Sequence, residues 1–181
     1  LKKRIGEQAE IIYARGYVGD PTGEYNGVKT GQNLKDDRSP KELRTEALQV
    51  ASNADIVLFI GGLNKSEYQD CEGTDRKTMD LPYNQNELIM DLLQVNKKLV
   101  VINISGTGVA MPWKNHVSTI LQAWYLGSET GNALASILMG DVNPSGKLPY
   151  TYYACLNQCG AHKLGEYPGH KGMDVLGNKV Y

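Results

Sequence analysis

Two apolar runs of strand length, Ile56-Val57-Leu58-Phe59-Ile60 and Leu99-Val100-Val101-Ile102-Asn103-Ile104, flank a stretch whose apolar residues recur with the helical period. A strand without polar alternation is one buried on both faces, and such strands belong to parallel sheets. The first run is therefore read as a central parallel strand. Between the two, Asn84-Gln85-Asn86-Glu87 is expected to cap a helix that turns Leu88, Ile89, Leu92, Leu93 and Val95 toward the sheet. A strand, a covering helix and a second strand make a βαβ unit, which restricts the chain to α/β folds.

The neighbouring segments extend the same pattern. Ser39-Pro40-Lys41-Glu42 is a capping box with proline at the first helical position, and Leu43, Ala47, Val50, Ala51 and Ala54 follow on one face, predicting a helix over residues 40–53. Residues 119–125 read as a further strand, 128–139 as a helix ended by Gly140, 146–152 as an edge strand and 9–14 as a short strand. Residues 1–6 look like the last turn of a helix closed by Gly6, and the glycine-rich stretch 16–38 like a long surface loop. Alternation of this kind implies a mostly parallel sheet covered on both faces.

At 181 residues the chain suits one domain, 1–155, with residues 156–181 as an extended glycine-rich arm. A net charge of -1 lacks the basic excess that holds a phosphate backbone, so nucleic acid is not an expected partner. No apolar run approaches the roughly 20 residues that span a bilayer, so no membrane association is expected either. The chain starts without methionine or a cleavable apolar segment, which reads as a piece of a longer protein. Three cysteines, Cys71, Cys155 and Cys159, are too few for a disulfide framework, although one pair would form in an oxidising compartment. The spacing of Cys155, Cys159 and His162 lacks the second pair a zinc site needs, so neither metal nor cofactor is expected. Gly106-Thr107-Gly108, which loosely resembles a dinucleotide fingerprint, reads as a tight turn.

Chemistry concentrates in the loop that follows the first apolar run, at the end of a strand where α/β folds bind ligands. Its residues 67–75 carry four carboxylates, Glu67, Asp70, Glu72 and Asp75. A proton-donating carboxylic acid needs a raised pKa, which nearby carboxylates supply, and Glu72 has Asp70 and Asp75 beside it and Gly73 after it. Glu67 competes for the same role, and the bland alternative for either is a surface carboxylate paired with Arg76 or Lys77. Tyr68 offers an apolar face with a polar tip suited to a sugar ring, whereas Trp124 and Tyr125, following a strand, read as core. Asp75 and Arg76 are expected to hold the loop through a charge-assisted hydrogen bond. Arg76 also joins Glu67 and Tyr68 in the set placed on the substrate side.

Gly62-Leu63-Asn64, Glu72-Gly73-Thr74-Asp75-Arg76 and Met79-Asp80-Leu81-Pro82 with Gln85 resemble the carboxyl-side domain of glycoside hydrolase family 3. Ala123-Trp124-Tyr125, Gly131-Asn132-Ala133-Leu134-Ala135 and Gly140-Asp141-Val142-Asn143-Pro144-Ser145-Gly146-Lys147-Leu148-Pro149 extend the likeness, which loosens at residues 165–169. The resemblance implies a three-layer α/β sandwich of about five to six strands, whose first strand would precede Leu1. It further implies a retaining β-glycosidase, of β-glucosidase or β-xylosidase type, whose N-terminal β/α barrel supplies the nucleophile while this domain supplies Glu72 as general acid/base. The substrate would then be an oligosaccharide or β-glycoside, the setting periplasmic or secreted with cytoplasmic the open alternative, and the domain inactive without its barrel. Two rival readings are a non-catalytic carbohydrate-binding or interaction module, and a flavodoxin-like nucleotide binder.

Overall fold

The computed structural model of the chain describes residues 1–25, 28–29, 35–164, 172–173, 176–177 and 179–180. In chain order these form α1 (Lys2–Ile5), β1 (Glu24–Tyr25), β2 (Val28–Lys29), α2 (Pro40–Ser52), β3 (Val57–Gly62), α3 (Gln85–Val95), β4 (Leu99–Ile104), β5 (Thr119–Gln122), α4 (Thr130–Leu138), α5 (Gly160–Lys163), β6 (Gly172–Met173) and β7 (Lys179–Val180). Single 3₁₀ turns precede α4 and α5. β1 with β2 and β6 with β7 are two-residue antiparallel pairs.

Helix α2 starts where its sequence dictates. Ser39 Oγ accepts from the Glu42 N–H at 3.2 Å and the Glu42 carboxylate accepts from the Ser39 N–H at 2.7 Å, so two otherwise orphaned donors are satisfied. The Ser39 hydroxyl, which also donates to the Glu42 carboxylate at 2.7 Å, and then the Ser39 N–H hold that carboxyl below its ordinary range. Helix α3 starts differently. Asn84 adopts a left-handed conformation, φ 55°, and its side chain caps nothing, which corrects the expectation that it would serve as a polar cap.

The central sheet is parallel, in the order β3-β4-β5, with Val57 opposite Leu99, Gly62 opposite Ile104 and Val100 opposite Thr119. Successive side chains of β4 serve different clusters, as a strand's period of two requires. Leu99 and Val101 pack with Phe59, Ile89, Leu93 and Trp113, whereas Ile102 packs with Ala123 and Leu134 of α4. Each fully buried Leu, Ile or Val contributes roughly 1.5–3 kcal/mol at most, enough for this packing to outweigh the middling helix propensities of α2 and α3. Asn96 ties the far ends of those helices together, donating to the carbonyls of Ala51 at 2.9 Å and Ala54 at 2.7 Å.

Several expectations change here. The strand placed at the centre, β3, has a single neighbour among the described residues, and β4 is the middle one. Leu58 and Ile60 on β3 are exposed, as is Ile56 before it, so this run is not buried on both faces. The described residues show three strands of the parallel sheet. Residues 9–14 form no strand; Ile11, Ile12 and Tyr13 are exposed, and a strand exists only where a ladder partner accepts its backbone. Residues 146–152 are likewise irregular. Tyr150 stacks on Tyr152 at 5.4 Å and meets Trp124 edge-on at 5.8 Å, and Pro149 has no N–H to give a ladder. The likeness at residues 165–169 lies outside the described residues.

Candidate functional site

The acidic loop leaves the carboxyl end of β3 and returns to the start of α3, and a single buried side chain fastens both ends. Gln85 Oε1 accepts from the Gly62 N–H at 2.8 Å, while its Nε2 donates to the carbonyls of Gly62 at 2.8 Å and Pro82 at 3.0 Å. Gly62 is required there: its φ is 141°, and a Cβ would lie 1.9 Å from the Ile104 carbonyl oxygen. Inside the loop polar bonds replace apolar packing. Gln69 Oε1 accepts from the Asn64 N–H at 3.0 Å and its Nε2 donates to the Tyr83 hydroxyl at 2.7 Å. Thr74 Oγ1 accepts from the Tyr68 N–H at 2.8 Å and lies 2.9 Å from Cys71 Sγ. The Thr74 hydrogen bond holds the Cys71 thiol below its ordinary range.

The turn after β4 is where the loop docks. Asp70, 6% exposed, accepts from the Gly106 N–H at 2.6 Å, from the Thr107 hydroxyl and from the Tyr125 hydroxyl at 2.8 Å. Tyr150 donates from the other side to the Gly106 carbonyl at 3.1 Å, and a Cβ at Gly106 would approach the Tyr125 ring at 3.0 Å. Arg76 donates to the Gly108 carbonyl. Gly106-Thr107-Gly108 is thus a turn, as its sequence suggested, and one whose backbone the loop uses as a berth. Burial first, then the hydrogen bond to Asp70, pushes the Tyr125 phenol well above its ordinary range.

The four side chains picked out from the sequence all lie on this one loop. Glu72 is exposed near its crown and makes no ion pair or side-chain hydrogen bond among the described residues. Glu67 is exposed as well. Tyr68 is 47% exposed and holds φ 58°, an unusual conformation for a tyrosine, with Lys77 Nζ 4.4 Å from its ring centroid. Tyr68 and Arg76 line a cavity of about 250 Å³ with Leu63 and Lys77, and neither glutamate borders it. The bland pairing of Glu72 or Glu67 with Arg76 or Lys77 does not occur: Arg76 turns to the Gly108 carbonyl and Lys77 sits over Tyr68.

Two residues read as core belong to this rim instead. Trp124, half-buried at φ 53°, meets Tyr150 edge-on, and Tyr125 is 38% exposed beneath Lys65, whose Nζ lies 4.6 Å from its ring centroid. The fully buried tryptophan is Trp113, whose Nε1 donates to Asn86 Oδ1 at 2.8 Å. Asp70 was read only as a charge beside Glu72, and its hydrogen-bonding role was missed. The available signal was a strand end, Ala123-Trp124-Tyr125, placing a phenol at the same sheet edge as the loop. All three cysteines are free thiols, and no cluster of metal-ligating side chains occurs among the described residues. No described helix is long and apolar enough to cross a membrane.

Residues 2–179 match the family described as the glycosyl hydrolase family 3 C-terminal domain. A β-glucosidase of Bacteroides ovatus is 46% identical over 172 residues, covering 93% of this chain and 22% of that protein. The crystal structure of a Kluyveromyces marxianus β-glucosidase in complex with glucose superposes with a TM-score of 0.66 at 38% identity, over 71% of this chain and 15% of that one. A family 3 exo-β-xylosidase in complex with a xylobiose aziridine probe matches at 33% identity with a TM-score of 0.58, over 68% of this chain and 16% of that one. The chain spans about a fifth of the length of the first of these relatives.

Proposed function

Because this chain belongs to glycosyl hydrolase family 3, as that family's C-terminal domain, we propose that it is the acid/base-bearing half of a retaining β-glycosidase. In this reading a β/α barrel elsewhere in the same protein holds the terminal sugar and the nucleophile. Residues 1–155 form the α/β sandwich, completed to five or six strands with helices on both faces, and 156–181 form the arm. Glu72 first protonates the leaving oxygen and then activates the water that releases the sugar, which in retaining enzymes places the two carboxyl groups about 5 Å apart. A domain with the acid but without the nucleophile and sugar pocket has little transition-state charge to stabilise, so alone it is inactive. Tyr68, Glu67 and Arg76 form the wall on the leaving-group side, and the substrate is an oligosaccharide or aryl β-glucoside.

One observation carries this reading: Glu72 stands exposed on a loop at the carboxyl end of β3, in a frame whose ends are fixed by Gln85 and whose flanks are tied by Asp70 and Arg76. A carboxyl so placed is free to exchange a proton with a sugar oxygen delivered from outside the domain. The β-glucosidase relatives favour a glucoside over a xyloside. The test is Glu72→Gln against Glu67→Gln in the barrel-containing enzyme, on aryl β-glucosides with poor and activated leaving groups. Glu72→Gln is expected to cost about 10²-fold or more on the poor leaving group and far less on the activated one, with azide restoring turnover of the latter. An unchanged rate for Glu72→Gln, with the loss appearing in Glu67→Gln, transfers the role to Glu67.

A further inference from the structure

Among the described residues Asp70 is the one carboxylate the fold buries, and it lies two positions before Glu72. Withdrawing a carboxylate from water costs several kcal/mol unless donors replace the lost hydration, and an apolar residue of similar size would hold a loop without that cost. A carboxylate differs from an apolar plug by being directional. Its three side-chain donors come from separate strand ends, Gly106 and Thr107 after β4 and Tyr125 after β5, while its own N–H donates to the Asn64 carbonyl after β3 at 3.0 Å. One residue, through its side chain and its backbone N–H, therefore ties the ends of β3, β4 and β5 together. The backbone from Asp70 to Arg76 forms an arch standing on the 106–108 turn, with Asp70 and Arg76 as its two feet. Glu72 sits between them, followed by Gly73, which has no atom within 4 Å of the place a Cβ would occupy. The arch is thus fixed at its feet and open at its crown.

We propose that Asp70 is the positioning residue for Glu72, setting the height and orientation at which the arch presents that carboxyl to the glycosidic oxygen. The proposal rests on the reading of Glu72 as general acid. Positioned proton transfer contributes typically 10²–10⁴-fold and depends on sub-ångström placement, so loosening one foot removes part of it while leaving sugar binding to the barrel unchanged.

The experiment compares Asp70→Asn with Glu72→Gln in the barrel-containing enzyme, reading the ratio of kcat/KM for a dinitrophenyl β-glucoside, which needs no acid, to that for a phenyl β-glucoside, which does. Asp70→Asn is expected to raise that ratio about tenfold, with kcat/KM for the dinitrophenyl substrate within about twofold of the parent. Should Asp70→Asn fail to fold, the double variant Thr107→Val, Tyr125→Phe removes two of the donors from the far side and is expected to raise the ratio in the same direction. Equal losses on both substrates, or an unchanged ratio, overturn the positioning role while leaving Glu72 as the acid. An unchanged ratio in Glu72→Gln removes the acid reading itself, and the inference with it.

Discussion

Between α3 and the sheet, Ile89, Leu93, Leu99, Val101, Val109 and Trp113 are at most 2% exposed, and the polar groups admitted there are partnered, Asn86 Oδ1 by Trp113 and both ends of the Gln85 amide by Gly62 and Pro82. At the carboxyl ends of the same strands the balance is reversed. The loop layer is held by hydrogen bonds accepted by Asp70 and Thr74 and donated by Gln69 and Arg76, and by tyrosine and tryptophan edges, with most of its side chains open to water. Apolar burial is strong but blind to angle, while hydrogen bonds are weak in net terms but directional. The packed half therefore sets whether the domain folds, and the rim sets where one carboxyl points.

The sharpest attack on the packed half is Trp113→Ala. It empties a fully buried site and strands Asn86 Oδ1, and an expected loss of about 3–5 kcal/mol should appear as a lowered urea midpoint. A loss below about 1 kcal/mol would mean that the rim, not the core, carries the fold. The margin between the halves is probed by Tyr17, which stacks on Phe59 at 6.4 Å and Tyr83 at 6.2 Å and whose phenol is pushed up to about 12, chiefly by burial and secondarily by Tyr83. The folded state keeps the proton longer than the unfolded chain, so stability is intact below the unfolded value of 10.0 and falls as pH rises toward 12. The fall is on the order of 2 kcal/mol, and Tyr17→Phe should flatten it in urea titrations run across that window. The smallest effect belongs to the rim: Tyr125→Phe removes one of three donors to Asp70 at a place water reaches, and should cost about 1 kcal/mol. A cost as large as that of Trp113→Ala would erase the distinction between the two regions.

Helix α2 was legible because its signal is local: the capping box, the proline and the apolar face all lie within its own residues. The β3, α3 and β4 segments were legible by period and run length. Which strand is central was not, because that depends on pairing between distant segments, and Leu58 and Ile60 carry no mark that one face of their strand is uncovered. Residues 9–14 and 146–152 had the composition of strands, but composition supplies no ladder partner. The loop around Glu72 was legible from its acid density and its place after a strand. Asp70 was not, because its donors lie 36 to 55 positions away, and Tyr125 looked like core while serving as one of those donors.

The uncovered side of β3 has a practical consequence. Among the described residues no strand accepts its outer row of N–H and C=O groups, and Ile56, Leu58 and Ile60 leave adjoining oily surface wet. A second molecule laid along that seam would gain backbone bonds and shed interfacial water together, so concentrating the domain by itself invites edge-to-edge association. A lysine substituted for Leu58 would blunt that seam without touching the acidic loop.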